Sequence, residues 1–159
     1  MTTSQQPLEL SDHFTYREAT FSRTAIKRGL DNTPDEKQLA NIIKTANQME
    51  KVRALLGNKV IHVSSWFRAT KVNAAVGGSS TSQHMTGEAV DFYCPRYGSE
   101  RKICETIVAH KELIPFDQLI LEPSWVHISF LSDRRKKPRY DVKTKTPDGK
   151  YHPGLIYYK

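Results

Sequence analysis

The stretch from Thr33 to Asn58 constrains the fold more than any other part of the chain. Thr33-Pro34-Asp35-Glu36 reads as a helix start: Thr33 can cap, Pro34 suits the first helical position, and Glu36 completes a capping box. Leu39, Ile42, Ile43, Ala46, Met49 and Leu56 then recur at helical spacing. Gly57-Asn58 supplies the stop. Upstream, Asp12 to Leu30 carries Phe14, Phe21, Ala25 and Ile26 and ends near Gly29, which predicts one or two short helices laid against the core.

Downstream the period changes. Lys59-Val60-Ile61-His62-Val63-Ser64-Ser65 is β-rich and leads into Trp66-Phe67-Arg68. A short helix is expected from about Thr70 to Val76, ended by Gly77-Gly78. A Ser/Thr-rich loop follows and runs into the strand-like Ala89-Val90-Asp91-Phe92-Tyr93. Ser99 can cap a helix carrying Ile103, Ile107, Val108 and Leu113. Two strands, Phe116 to Glu122 and Trp125 to Phe130, are joined at Pro123-Ser124. This order favours an α+β fold, a small and largely antiparallel sheet with flanking helices. At 159 residues, with no internal repeat and no linker, residues 1–159 are expected to form a single domain.

Charge is concentrated in one segment. Asp133 to Lys145 holds seven bases against two acids, a net five of the formal +7. Three readings of this basic run stand side by side: a solvated loop or tail, a surface facing an anionic polymer such as a bacterial cell wall, or a nucleic-acid patch. It lacks the interleaved aromatics of single-strand binders, so no nucleic-acid partner is expected. No regular structure is assigned to 133–159. Cys94 and Cys104 match no zinc-thiolate spacing and read as two small, partly buried side chains. No apolar run approaches the roughly 18 residues of a membrane span, and no membrane insertion is expected. The polar start Met-Thr-Thr-Ser-Gln-Gln-Pro does not resemble a secretory signal, so synthesis in the cytoplasm is expected.

The chemistry-bearing residues lie in Ser82-Gln83-His84-Met85-Thr86-Gly87-Glu88-Ala89-Val90-Asp91 and in Trp125-Val126-His127. His84 and Asp91 stand seven positions apart around Gly87, and His127 lies in a β-prone run. Two histidines and one carboxylate are the ligand set of a catalytic zinc, which keeps a fourth position for water. Strand alternation puts Trp125 and His127 on one face, with Val126 turned away. Taken alone, His127 reads as a core histidine with a satisfied hydrogen bond sooner than as a ligand. Glu122 is the nearest carboxylate before His127, whereas alternation turns Glu88 away from the metal. Arg68 could polarise a substrate carbonyl or bind a carboxylate, or serve as a structural or solvated arginine.

The combination Ser82-x-His84-x-x-Gly87-x-Ala89-x-Asp91 with Trp125-Val126-His127 resembles the metal-binding signature of the M15 peptidases. That family includes D-Ala-D-Ala carboxypeptidases, dipeptidases and endopeptidases of phage endolysins. Ser65-Trp66-Phe67-Arg68, Asn73, Val76-Gly77-Gly78, Asn32-Thr33-Pro34 and Phe116-Asp117-Gln118-Leu119-Ile120 are similar to the short single-domain branch, akin to the C-terminal domain of its carboxypeptidases. The resemblance runs from about Phe14 to Phe130. It implies a hedgehog/DD-peptidase-like fold, Zn2+ held by His84, Asp91 and His127, Arg68 as the group stabilising the carbonyl oxygen, and Ser82 in contact with substrate. Many members place a catalytic carboxylate three residues before the last histidine; here that residue is Ser124, so Glu122 becomes the candidate base, with Asp117 a poorer one. Trp66 also departs from the family, standing where glycine is frequent. The function implied is a zinc peptidase cleaving peptidoglycan stem peptides, of phage or prophage endolysin type. It would be a monomer that reaches the wall with a holin-like release partner. The alternatives are a D,D-carboxypeptidase or dipeptidase on small muropeptides, and a non-catalytic wall-binding module of the same fold.

Overall fold

The computed structural model describes residues 9–158. The chain opens with the strand pair β1 (Glu9–Ser11) and β2 (Phe14–Thr15), then α1 (Tyr16–Thr20) and α2 (Arg23–Arg28). Two short helices therefore occupy the region expected to be helical. Phe14 and Ala25 are buried, but Phe21 and Ile26 are exposed. Thr15 caps α1 through a capping box with Glu18, and Ser22 caps α2.

The long helix is α3 (Glu36–Leu55). Its cap differs from the expected one. Asp35 accepts from the Gln38 N–H at 2.7 Å, and the Gln38 side chain accepts from the Asp35 N–H at 2.8 Å. A carboxylate beside the positive end of the helix outcompetes the hydroxyl of Thr33, so the box closes two residues later than expected. Ile42, Ala46, Met49 and Val52 form the buried stripe, and Gly57 (φ 73°) and Asn58 (φ 59°) turn the chain out of the helix.

The remaining elements are β3 (His62–Ser65), α4 (Thr70–Ala75), a 3-10 turn at Gln83–Thr86, β4 (Ala89–Tyr93), α5 (Glu100–Ala109), β5 (Gln118–Leu121), β6 (Val126–Ser129), β7 (Asp141–Lys145) and β8 (Tyr151–Pro153). Leu113 falls beyond the end of α5 and is exposed. The six-stranded sheet has the order β3-β4-β6-β5-β7-β8, antiparallel throughout except for the parallel pair β5–β7. The fold is thus α+β with a largely antiparallel sheet. The basic segment is not a tail: its second half supplies β7.

Strand alternation divides the sheet into two chemically different faces. In register across β4, β6, β5 and β7, Val90, Ile128, Leu119 and Val142 form one row, and Phe92, Val126, Leu121 and Thr144 another. These rows face the core, where α5 contributes Ile103 and Ile107. The intervening row is Asp91, His127, Ile120 and Lys143, and it faces a cleft of about 750 Å³. A one-residue slip of any strand would drive charged groups into the core, so the buried rows hold the cleft row in register.

Candidate metal and catalytic site

The 3-10 turn that carries His84 is clamped from two sides. From α3, the Gln38 side-chain amide donates to the Met85 carbonyl at 3.2 Å and that of Asn41 to the Thr86 carbonyl at 3.0 Å. Gly87 ends the turn at φ 83°, where a Cβ would lie 2.6 Å from Ile42 Cγ1 and 3.1 Å from the Gln38 carbonyl oxygen. Only glycine allows this approach to the helix. From the other side the fully buried Trp66 donates its indole N–H to the Gly87 carbonyl at 3.0 Å. Trp66 thus fixes the turn that carries His84.

The same tryptophan sets the state of His84. The Trp66 carbonyl accepts from His84 Nδ1 at 2.5 Å, so in the neutral ring the proton sits on Nδ1 and the lone pair is on Nε2. His84 is buried, and Nε2 has no hydrogen-bond partner. It faces Asp91 Oδ2 at 3.3 Å, while His127 Nδ1 lies 2.8 Å from Asp91 Oδ1. Lone pair facing carboxylate is repulsive unless a cation lies between them. Tetrahedral donors at zinc bond lengths stand roughly 3.3 Å apart, the separation of His84 Nε2 and Asp91 Oδ2. All three donor atoms fall within 4.8 Å of one another, and the nitrogen and oxygen set fits a zinc-type divalent ion. Burial would raise the Asp91 carboxyl. The adjoining imidazoles of His84 and His127 outweigh it and hold the group far below the ordinary carboxylate range, so it is an anion ready to ligate.

Around this cluster the cleft gathers the other expected residues. Arg68 is half-buried, its backbone N–H bonded to the His84 carbonyl at 3.0 Å. Its Nε has no partner, and burial pulls its pKa down while Asp91 opposes the shift. Ser82 lines the cleft and accepts from the His84 N–H at 3.2 Å, which makes it a cap of the 3-10 turn. Glu122 continues the cleft face of β5 beyond Ile120 and is buried, with Oε2 unpartnered. Burial pushes its carboxyl above the usual glutamate value, although Lys145, with Nζ at 4.0 Å, pulls it back in part. Ser124 lies exposed in the turn between β5 and β6, outside the cleft wall.

Two further carboxylates separate cleanly from these roles. Glu88 turns away, accepting from Thr86 Oγ1 at 2.6 Å and from the Ser132 N–H at 2.7 Å. Asp117 is buried and receives the Arg139 N–H, Nε–H and Nη2–H at 3.0, 3.0 and 2.8 Å. Burial raises its carboxyl, and the Arg139 bonds overcome this and lower it, which suits a structural anion rather than a base. Asp117 also accepts the Asp141 N–H on its backbone carbonyl at 2.9 Å, so it seats the start of β7.

Several cleft residues were not anticipated as site residues: Gln83, Arg139, Lys143, Lys145 and Tyr151. A signal was present in Tyr140 to Lys145, where Val142 and Thr144 alternate with Lys143 and Lys145. The density of charge there masked a strand pattern.

An α+β domain with two histidines and a carboxylate converging on the open face of its sheet has the architecture of a metallohydrolase. A family model described as Peptidase M15 matches residues 12–129, and the chain belongs to that family. A stretch of 52 residues is 40% identical to the zinc D-Ala-D-Ala carboxypeptidase of Streptomyces albus G, and the match takes in 33% of this chain and 20% of that protein. The chain therefore spans about a fifth of the length of this curated relative. The family match ends at the last residue of β6, so β7 and β8 lie outside it.

Proposed function

We propose that this protein is a zinc peptidase that cleaves peptide bonds in peptidoglycan stem peptides. The observation that carries the reading is the buried, unpartnered Nε2 of His84 facing Asp91, with His127 on the other carboxylate oxygen. His84, Asp91 and His127 hold the metal. Bound there, zinc brings the pKa of a water down to about 7 and polarises a carbonyl. Glu122 takes the proton of the attacking water on its carboxylate and hands it to the leaving amine; burial, by raising its basicity, suits it to both steps. Arg68, whose Nε–H has no hydrogen-bond partner, stabilises the oxygen on which charge develops. Ser82 contacts the substrate from the rim of the metal turn. Family membership and the short stretch of similarity to a zinc D-Ala-D-Ala carboxypeptidase support the wall peptide as substrate.

Within that activity we propose a phage or prophage endolysin acting as a monomer, which needs a holin-like partner to reach the wall. The basic face around the cleft supports it, since peptidoglycan is anionic. Mass spectrometry of the fragments released from purified sacculi tests the reading. Stem-peptide cleavage that stops with a chelator and returns with zinc is expected. Intact stem peptides with the metal-loaded protein would overturn it and favour a wall-binding module.

A further inference from the structure

We infer that β7, which lies outside the family-matched segment, carries the determinant of substrate charge: Lys143 reads a carboxylate of the peptide substrate on the far side of the cleft from His84. The inference rests on the peptidase reading above and adds the class of peptide that the cleft selects.

Register places the residue. Asp91 pairs with His127, His127 with Ile120, and Ile120 with Lys143, so the lysine belongs to the same transverse row as two of the metal ligands. Two strand spacings separate the backbones of His127 and Lys143, about 10 Å in all. An extended peptide rises about 3.3 Å per residue, so a carboxylate two or three residues from the scissile bond spans that gap. The position of β7 is not left to chance, because Asp117 ties both Arg139 and the Asp141 N–H at its start. Val142 and Thr144 anchor the opposite face.

Charge separates Lys143 from its neighbours. Arg139 is committed to Asp117, and Lys145 stands 4.0 Å from Glu122 and over the Tyr151 ring at 5.2 Å. Among the described residues Lys143 has only a loose ion pair, 3.5 Å from Asp141 Oδ2, an oxygen that already accepts from the Gln118 amide at 2.9 Å. A pair this exposed is worth little, so exchanging it for a substrate carboxylate costs little. The cleft wall carries Arg68, Arg139, Lys143 and Lys145 against Asp91, Asp117 and Glu122, and a divalent ion adds to that positive excess. An anionic substrate fits this wall; a neutral one leaves Lys143 without a function.

The test uses the zinc-loaded full chain and soluble muropeptides with their carboxylates either free or converted to carboxamides. The wild type is expected to cleave the free acids with kcat/KM about tenfold higher, the worth of one hydrogen bond to a charged group. Lys143→Gln should remove most of that preference, mainly through KM and with the amide substrates unaffected. Lys143→Arg should retain it, and Lys143→Glu should reverse it. Equal cleavage of acids and amides by the wild type would overturn the inference alone, as would a preference that survives in Lys143→Gln. Failure to cleave either set would overturn the peptidase reading beneath it.

Discussion

Replacing Gly87 by alanine probes the packing that positions His84 in the cleft. Two costs act at once. At φ 83° an L-residue is strained, by roughly 1–2 kcal/mol. The new Cβ would also stand 2.6 Å from Ile42 Cγ1 and 3.1 Å from the Gln38 carbonyl, so the 3-10 turn must move off α3. Overpacking of that kind costs about 1–3 kcal/mol, giving a total loss of about 2–5 kcal/mol. Gly29 provides the internal control. Its φ is 65° and nothing lies within 4 Å of its Cβ position, so Gly29→Ala should show the strain alone. Denaturant unfolding of the two variants isolates the contact with α3, and competition with a chromophoric chelator reads its effect on zinc affinity. Gly87→Ala should lose more stability than Gly29→Ala and should also bind zinc more weakly. Equal losses in the two variants, with zinc affinity intact, would refute the role given to the Gly87–Ile42 contact.

Glu122→Gln should retain zinc and lower kcat by about 10²–10⁴-fold, measured by stopped assays on muropeptides. Because burial raises the Glu122 carboxyl, activity should fall on the acid side at a pH above the ordinary glutamate value; Lys145→Met removes a charge that lowers this group and should move the acid limb higher still. Asp117→Asn should destabilise the fold by about 1–3 kcal/mol and loosen β7, seen as faster amide exchange over Asp141–Lys145. The Asp117 carboxyl is depressed in the folded state, so its contribution is present above the normal carboxylate pKa and disappears as pH falls through the depressed value. The stability gap between wild type and Asp117→Asn should therefore be full near neutrality and shrink in acid.

Much of the architecture was legible because hydrophobic period is a strong signal. The stripe from Leu39 to Leu56 and the runs at Ala89–Tyr93 and Val126–Ser129 all became the expected elements. The helix cap was misplaced because Thr33 and Asp35 both satisfy the same local pattern, and only the tertiary position of α3 chooses between them. The strand β7 is hidden by its own composition: lysines on its cleft face read as a solvated run until parallel pairing with β5 packs Val142 against the core and buries Thr144 beside Leu121. Convergence of His84, Asp91 and His127 followed from the family signature rather than from spacing, since register between β4 and β6 is a nonlocal property. The part played by Trp66 could not be read from sequence at all, because its hydrogen bonds to the turn reach residues 18 and 21 positions away.

The central claim is that His84, Asp91 and His127 bind one zinc ion. Titrating the metal-stripped protein with zinc against a chromophoric chelator tests it most directly, with elemental analysis of the protein after dialysis. One zinc per chain is expected, with affinity reduced more than about a hundredfold in both His84→Ala and Asp91→Ala, since even changes around a ligand cost 10–100-fold. A chain that retains no zinc, or binds it equally well after either substitution, would contradict the claim.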